Sequence, residues 1–404
     1  MSESTTRRSL GRGFNALLAG SLVSNIGDGI RLAAIPLLAT ELTDSEILIA
    51  SVTAAQYLPW ITAAPVGGVL VDRWDRRRTI MITQLWRGLV MLGLALLVAG
   101  DVVALWHVCV VAYLITAGEI LVDPAVFATV PLVVDEEDLE RANGRIATTE
   151  FVANDFAGGP VGSVAFAAAP WLPFLIDGLS YLGSSPLFGR LPSRSERREQ
   201  RGSVRQEARA GLDFLLGHPV LGGLLRANVV YFFGVATQLA LLVVLVTRTL
   251  DASAFVFGLV LAAGAVGATT GSMAAGRVRD RFEPGPVLVG TLLAQGVGLA
   301  AMATAPNEWV LLAIFGLYGL PVGLQRPVAQ AIQQRLTPNE MLGRINVTSR
   351  MFTRGVIIVG APVAGVVAEL TSVRVAFAVA AVVVGVAALL TQRVLGAARA
   401  CASP

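Results

Sequence analysis

The chain has 404 residues, 54% of them hydrophobic and only 15% charged. Soluble globular proteins carry roughly 25% charged residues, and apolar runs of about 18 residues or more recur here from end to end, so a soluble fold is excluded in favour of a polytopic membrane protein. The net charge of +3 balances 31 basic against 28 acidic residues, and every basic residue is an arginine. That balance gives no support for nucleic-acid binding, and without lysine there is no phosphate loop of the kind that feeds an ATP-driven pump. Cys109 and Cys401, and His107 and His218, lack the spacing of a disulfide framework or a metal site, and no cofactor or enzyme constellation is expected.

The polar segment 1–13 carries Arg7, Arg8 and Arg12, and the apolar run behind it is too long for a signal-peptide core. It is expected to stay as the first of twelve spans: 14–40, 47–71, 79–100, 104–131, 145–168, 171–191, 220–247, 255–276, 286–305, 308–334, 344–369 and 374–393. Runs of this length in a bilayer are helices, so the fold is all-α. The loop 192–219 divides them into two bundles of six, 14–191 and 220–393, followed by a tail, 394–404. That loop begins as a charged linker. From about Ser203 it can become an amphipathic helix at the membrane surface, with Leu212, Leu215 and Leu216 on its apolar side. Of the 31 arginines, 23 fall on segments of the side that holds both termini, 6 lie within spans, and only Arg248 and Arg374 face the opposite side. The positive-inside rule therefore predicts cytoplasmic termini.

Ionisable side chains at membrane depth ask for a reason. In the first span, Asp28 and Arg31 are one turn apart and can pair, with Asp28 either a proton carrier or half of a fixed ion pair. Glu119 and Asp123, at i and i+4 in the fourth span, share a face where mutual repulsion and burial suit a group that loads and releases protons. Glu119 is the expected coupling residue of that pair, and Asp123 the structural one. Asp155 in the fifth span is a further coupling candidate, with cavity lining and structural hydrogen bonding equally open. Arg87 and Asp177 read as lone charges forming a supporting pair. Arg350 and Arg354, one turn apart in the eleventh span, can attract an anionic substrate or face carboxylates across the bundle interface. Arg31, Tyr57, Trp60 and Tyr231 complete the candidate substrate cavity.

Between the second and third spans lies Pro65–Ile80, with Gly67 and Gly68 giving a smooth helix face and Asp72, Arg73, Asp75, Arg76, Arg77 and Arg78 in the hairpin. Asp72 sits where it can meet the positive end of another helix. The two halves also repeat. Asp123-Pro124 aligns with Arg326-Pro327, and Leu139–Asn143 with Leu342–Asn346, at a shift of 203. Gly158-Gly159-Pro160-Val161 falls on Gly360-Ala361-Pro362-Val363, and Gly67…Asp72-Arg73 on Gly271…Gly276-Arg277, so the second copy lacks the aspartate.

The pattern Gly67…Asp72-Arg73 followed by Arg76, Arg77 and Arg78, in that place between two spans, resembles the helix 2–3 loop of the major facilitator superfamily. Ser24–Gly29, Asp123-Pro124, Leu139–Asn143 and Gly159-Pro160 resemble its branch of enterobactin exporter and macrolide-efflux permeases, from about residue 14 to 393. The resemblance implies two pseudo-symmetric six-helix bundles related by a parallel repeat. It also implies export of a bulky amphiphilic compound driven by proton entry. Carried over, Asp72 meets the start of the eleventh helix near Arg344 and holds the cytoplasmic side shut. Gly158, Gly159, Pro160 and Gly162 resemble the antiporter motif of drug exporters, except that Ser163 stands where a final glycine is often found. The expectation is thus a monomeric secondary transporter of a bacterial inner membrane. A proton symporter for nutrients and a non-transporting sensor or scaffold stand as alternatives.

Overall fold

A computed structural model of the protein describes residues 10–64, 74–192, 212–338 and 341–402. It is helical throughout these residues. The first half contains α1 (Gly11–Leu42), α2 (Glu46–Tyr57, continued after Leu58 by a short turn of helix, Pro59–Thr62), α3 (Arg76–Ala99), α4 (Leu105–Val133), α5 and α6 (Leu172–Phe188). The fifth is built in three consecutive pieces, Leu139–Glu150, a π-helical Phe151–Ala157 and Gly158–Ala168. The second half contains α7 (Pro219–Val244, ending in a π turn, Leu245–Thr249), α8 (Ala254–Arg281), α9 (Pro284–Ala303), α10 (Glu308–Leu336), α11 (Leu342–Leu370) and α12 (Val373–Ala402).

Among the described residues, nine helices are long and apolar enough to cross a membrane. Two of the other three fall short for local reasons. α5 changes pitch midway and α6 has only 17 residues, while the second span, in which a turn at Leu58 separates Glu46–Tyr57 from Pro59–Thr62, extends past the described residues. The change of pitch in α5 sits immediately ahead of Pro160. Proline offers no N–H to the carbonyl four residues back, and a π turn is a common way for a helix to absorb such a defect. The matching Pro362 lies inside an uninterrupted α11, so the repeat is not exact. α5 also starts earlier than the span read from sequence. Its first piece is polar on one side, and only Ala142 and Ile146 are buried.

The outside of the bundle is apolar, with Leu96, Met273, Val297 and Leu370 at 70–79% exposure, as a lipid-facing surface requires. Trp106, Trp171 and Trp309 are exposed at the first turns of α4, α6 and α10, one end of the molecule, where an aromatic belt belongs. At that same end a single core joins both halves, including Leu37 and Leu38 of α1, Leu241–Val246 of α7 and Ala361, Ala364 and Ala368 of α11. At the opposite end the core divides. One cluster holds Leu10, Phe14, Ile80, Val126 and Phe188 of the first half only; two others hold Leu215, Leu221 and Ile345, and Leu288, Val328 and Ile332, of the second. The halves are therefore joined at the end remote from the termini and part toward the end that carries them.

In the linker, 212–217 is helical. Leu215 is buried against Leu221 and Ile345, and Leu216 is 55% exposed. The rest of that amphipathic segment lies outside the described residues.

Candidate functional site

The first half encloses a cluster of charges. Arg31 and Arg87 are 2% and 1% exposed. Arg31 Nη2 donates to Asp28 Oδ1 at 3.0 Å and to Glu119 Oε1 at 2.5 Å. Arg87 Nη2 donates to the same two oxygens at 2.8 and 3.2 Å, and to the Tyr181 hydroxyl at 2.6 Å. The Tyr181 hydroxyl in turn donates to Asp28 Oδ1 at 2.5 Å, and the Arg87 guanidinium lies 4.0 Å from the Tyr181 ring centroid. Gln84 closes the back of the cluster: its Oε1 accepts from Arg87 and its Nε2 donates to Ser24 and Ser184. Burial of two guanidinium groups is tolerated because each has carboxylates in direct contact.

Asp177 completes the set and differs from the rest. It is fully buried on α6, Arg31 Nε stands 3.6 Å from its Oδ2, and neither carboxylate oxygen has a hydrogen-bond partner among the described residues. Ionised, the three carboxylates of Asp28, Glu119 and Asp177 exceed the two guanidinium groups by one charge. Of these three carboxylates Glu119 is the most accessible, its side chain 27% exposed.

Close helix approach makes this geometry possible. A side chain at Gly27 would occupy the space of the Asp177 carboxylate and Ser180 hydroxyl, and one at Gly118 that of the Arg87 stem. Gly158 and Gly162 let α5 lie directly on the α1 backbone at Gly29 and Ile30. The tightest contacts of the helix-5 glycines are thus within their own half; only Gly159 faces the other, toward Leu261 and the Gly258 carbonyl of α8. In the second half, Gly264, Gly267 and Gly271 of α8 meet Phe315, Gly316 and Leu320 of α10 in the same manner.

The cleft walls differ in sign. On the first half, Asp123 is exposed and outside the hydrogen-bonded cluster, although it shares a face with Glu119. On the second, Arg326 and Arg350 are exposed. Arg354 crosses to the first half. Its Nη1 donates to the Tyr57 hydroxyl at 3.3 Å, and its guanidinium lies 5.4 and 5.6 Å from the Tyr57 and Trp60 ring centroids. Two residues read as cavity wall are elsewhere. Arg31 is inside the ionic cluster, and Tyr231 is buried in the second half, donating to Gln295 at 2.6 Å. Gln295 continues to Gln325 at 2.7 Å, a neutral chain. Tyr231 occupies the position of Asp28 in the repeat, a shift of 203. One copy carries charge where the other carries a phenol.

Of the expected gate, Gly67, Gly68, Asp72 and Arg73 lie outside the described residues, as do the side chains of Arg344 and Asp155. Arg76 is described: it donates to the Ala128 carbonyl of α4 at 3.0 Å, within its own half. Arg77 is half-buried. From sequence, Arg87 and Asp177 read as a supporting pair, and nothing singles out Tyr181 and Gln84; the structure gathers all four around Asp28, Arg31 and Glu119. The signal that would have found them is polarity at spacing i, i+3 and i, i+4, in Gln84/Arg87 and Asp177/Tyr181, inside otherwise apolar spans.

The profile of the family described as "transmembrane secretion effector" matches residues 10–400. The chain belongs to that family. It is 25% identical over 347 residues to the enterobactin exporter EntS of Shigella boydii serotype 4, covering 82% of this chain and 80% of that protein. It is 24% identical over the same length to EntS of Escherichia coli O1:K1, with the same coverage. The nucleoside transporter NupG, in a point-mutant form, has the same fold, with a TM-score of 0.79 at 12% identity over 94% of this chain and 99% of that one. So has a bacterial homologue of the iron transporter ferroportin, at 0.76, 17% identity, 96% and 99%. This family member is therefore a membrane transporter with the twelve-helix major facilitator fold, and not an enzyme.

Proposed function

We propose that the protein exports a small amphiphilic compound from a bacterial cell in exchange for protons, by alternating access. Its parted end would face the cytoplasm, together with both termini. The observation that carries the coupling is the charge excess of the buried cluster together with the partial exposure of Glu119. A carboxylate that bridges two buried arginines and also touches the cleft can take up a proton from one side and return it to the other as the cleft changes sides. The direction is supported by the exporter name borne by the EntS relatives. The arginine distribution supports the orientation.

In this reading Tyr57, Trp60, Arg350 and Arg354 form the cargo wall, with aromatic faces for an apolar body and guanidinium groups for an acidic or hydrogen-bonding one. The hairpin of Gly67, Gly68, Asp72, Arg73, Arg76 and Arg77 would engage the start of α11 near Arg344 when the cytoplasmic end closes. The transporter works as a monomer of two bundles, about 14–191 and 220–393. Whole-cell accumulation of a panel of macrolides, dyes and siderophores, with and without a protonophore, tests the proposal. Expression should lower accumulation of at least one compound, and the protonophore should restore it. Equal accumulation across the panel, or protonophore-insensitive efflux, would sink proton-coupled export.

A further inference from the structure

The described Arg31–Asp177 contact is unfinished on both sides. Arg31 Nε and Nη1 are buried without a hydrogen-bond partner, and so are both oxygens of Asp177, yet the two groups face each other at 3.6 Å. Meanwhile Arg31 spends its remaining nitrogen, Nη2, on Asp28 and Glu119. Buried donors and acceptors normally find partners, because an unmet one forfeits its hydration without compensation. Here a pair of unmet groups is held about half an ångström beyond hydrogen-bond distance, and Gly27 keeps the space for the Asp177 carboxylate open.

We propose that Asp177 is the standby counter-ion of Arg31: when Glu119 takes a proton, Arg31 leaves it and closes onto Asp177. This rests on the reading of Glu119 as the proton carrier. Protonation of Glu119 removes one negative charge from beside Arg31 and Arg87. Arg87 keeps Asp28, Tyr181 and Gln84, whereas Arg31 would keep only a share of Asp28 Oδ1, which also accepts from Arg87 and Tyr181. Movement of the guanidinium toward α6 brings Nε, together with the Nη2 released by Glu119, onto the two unmet oxygens of Asp177. Among the described residues, the ionisable groups that face this pair are Asp28 on α1, Arg87 on α3, Glu119 on α4 and Tyr181 on α6; α5 contributes Asn154, whose Oδ1 is likewise buried without a partner. Asp177 is thus a positioning residue that acts through Arg31 and sets how readily Glu119 accepts a proton.

The sign follows from charge. With Asp177 neutral, Arg31 has nowhere else to go and holds Glu119 ionised, so acid must be stronger to protonate it. The test is an infrared titration of the purified full-length protein in lipid, following the carbonyl stretch of a protonated carboxyl group. The band assigned by its loss in Glu119→Gln should move its midpoint by about one pH unit to lower pH in Asp177→Asn, a tenfold change in proton activity. Asp177→Glu should restore the original midpoint, which a merely structural role for Asp177 would not predict. Asp177→Ser serves as a second neutral variant where Asp177→Asn yields no folded protein. An unchanged midpoint in the neutral variants, a move to higher pH, or the absence of any band that depends on Glu119 would overturn the assignment. Because no cargo is involved, the titration can succeed while proton-coupled export fails in cells, or the reverse.

Discussion

Glu369 of α11 accepts a 2.7 Å hydrogen bond from the hydroxyl of Ser45, the residue that caps α2 in the other half. The Ile47 amide donates to the same carboxylate oxygen. A few residues away, Arg248 of the second half donates to the carbonyls of Thr40, Thr43 and Asp44 at 2.7, 2.7 and 2.9 Å, at the end of α1. An acid therefore sits on a helix N-terminus and a base on a helix C-terminus of one hairpin, each complementing the local dipole. Together they clasp the first half to the second at the joined end.

Removal of this clasp should favour the opposite state of the transporter. Hydrogen bonds to charged groups contribute about 1.5–3 kcal/mol each. Arg248→Ala combined with Glu369→Gln is expected to raise the population open at this end by about tenfold or more. Distances between spin labels placed across that end report it; a distribution identical to the unaltered protein would count against the clasp.

Glu119→Gln should leave the protein folded in the membrane and eliminate the dependence of exchange on a pH gradient, since the amide keeps the shape and an acceptor oxygen but carries no proton. Proteoliposomes with and without an imposed gradient measure this on any compound found to be exported. Retention of full gradient-driven exchange would remove Glu119 from the mechanism.

The two halves should respond differently at equivalent positions. Asp28→Ala leaves Arg31 and Arg87 sharing fewer carboxylates in a buried site, a change of the kind that costs about 3–5 kcal/mol. Tyr231→Phe deletes one neutral hydrogen bond to Gln295, worth about 1 kcal/mol. Thermal unfolding in detergent should therefore show a large fall in Tm for the first and a small one for the second.

Gly267 tests the α8–α10 contact. A methyl group there would run into the Gly316 carbonyl, and overpacking of this kind costs about 1–3 kcal/mol. Gly267→Ala should lower Tm, while alanine at Gly276, which has open space around it, should leave Tm unchanged.

Arg354→Gln should weaken binding of an aromatic or acidic cargo, read as a raised KM with little change in the maximal rate, because Arg354 orders Tyr57 and Trp60 on the cleft wall without touching the buried cluster.

The sequence made the spans, their division into two bundles and the internal repeat legible, because hydropathy over 20 residues is a strong signal and nearly independent of context. It was much less informative about which charges meet. Asp28 and Arg31 announce each other through i, i+3 spacing on one helix. Arg87 and Asp177 join them only because α3 and α6 turn particular faces inward, and helix rotation leaves no mark in an almost uniformly apolar run. The same limit explains Arg31 and Tyr231, which read as cavity wall but are turned into their own bundles. Glu119 and Asp123 share a face as their spacing requires, yet four residues advance the helix by a full turn, enough to bring one to the arginines and leave the other at the cleft.

The ionic cluster lies within the first bundle, and its counterpart in the second is a neutral chain of one phenol and two amides, so under the proposed coupling the two copies of the repeat would divide their labour. On that reading, mutational drift along α10 and α11 would alter which molecules are admitted while Glu119 and its arginines stay untouched, and a single engine of this design would be refitted to many freights.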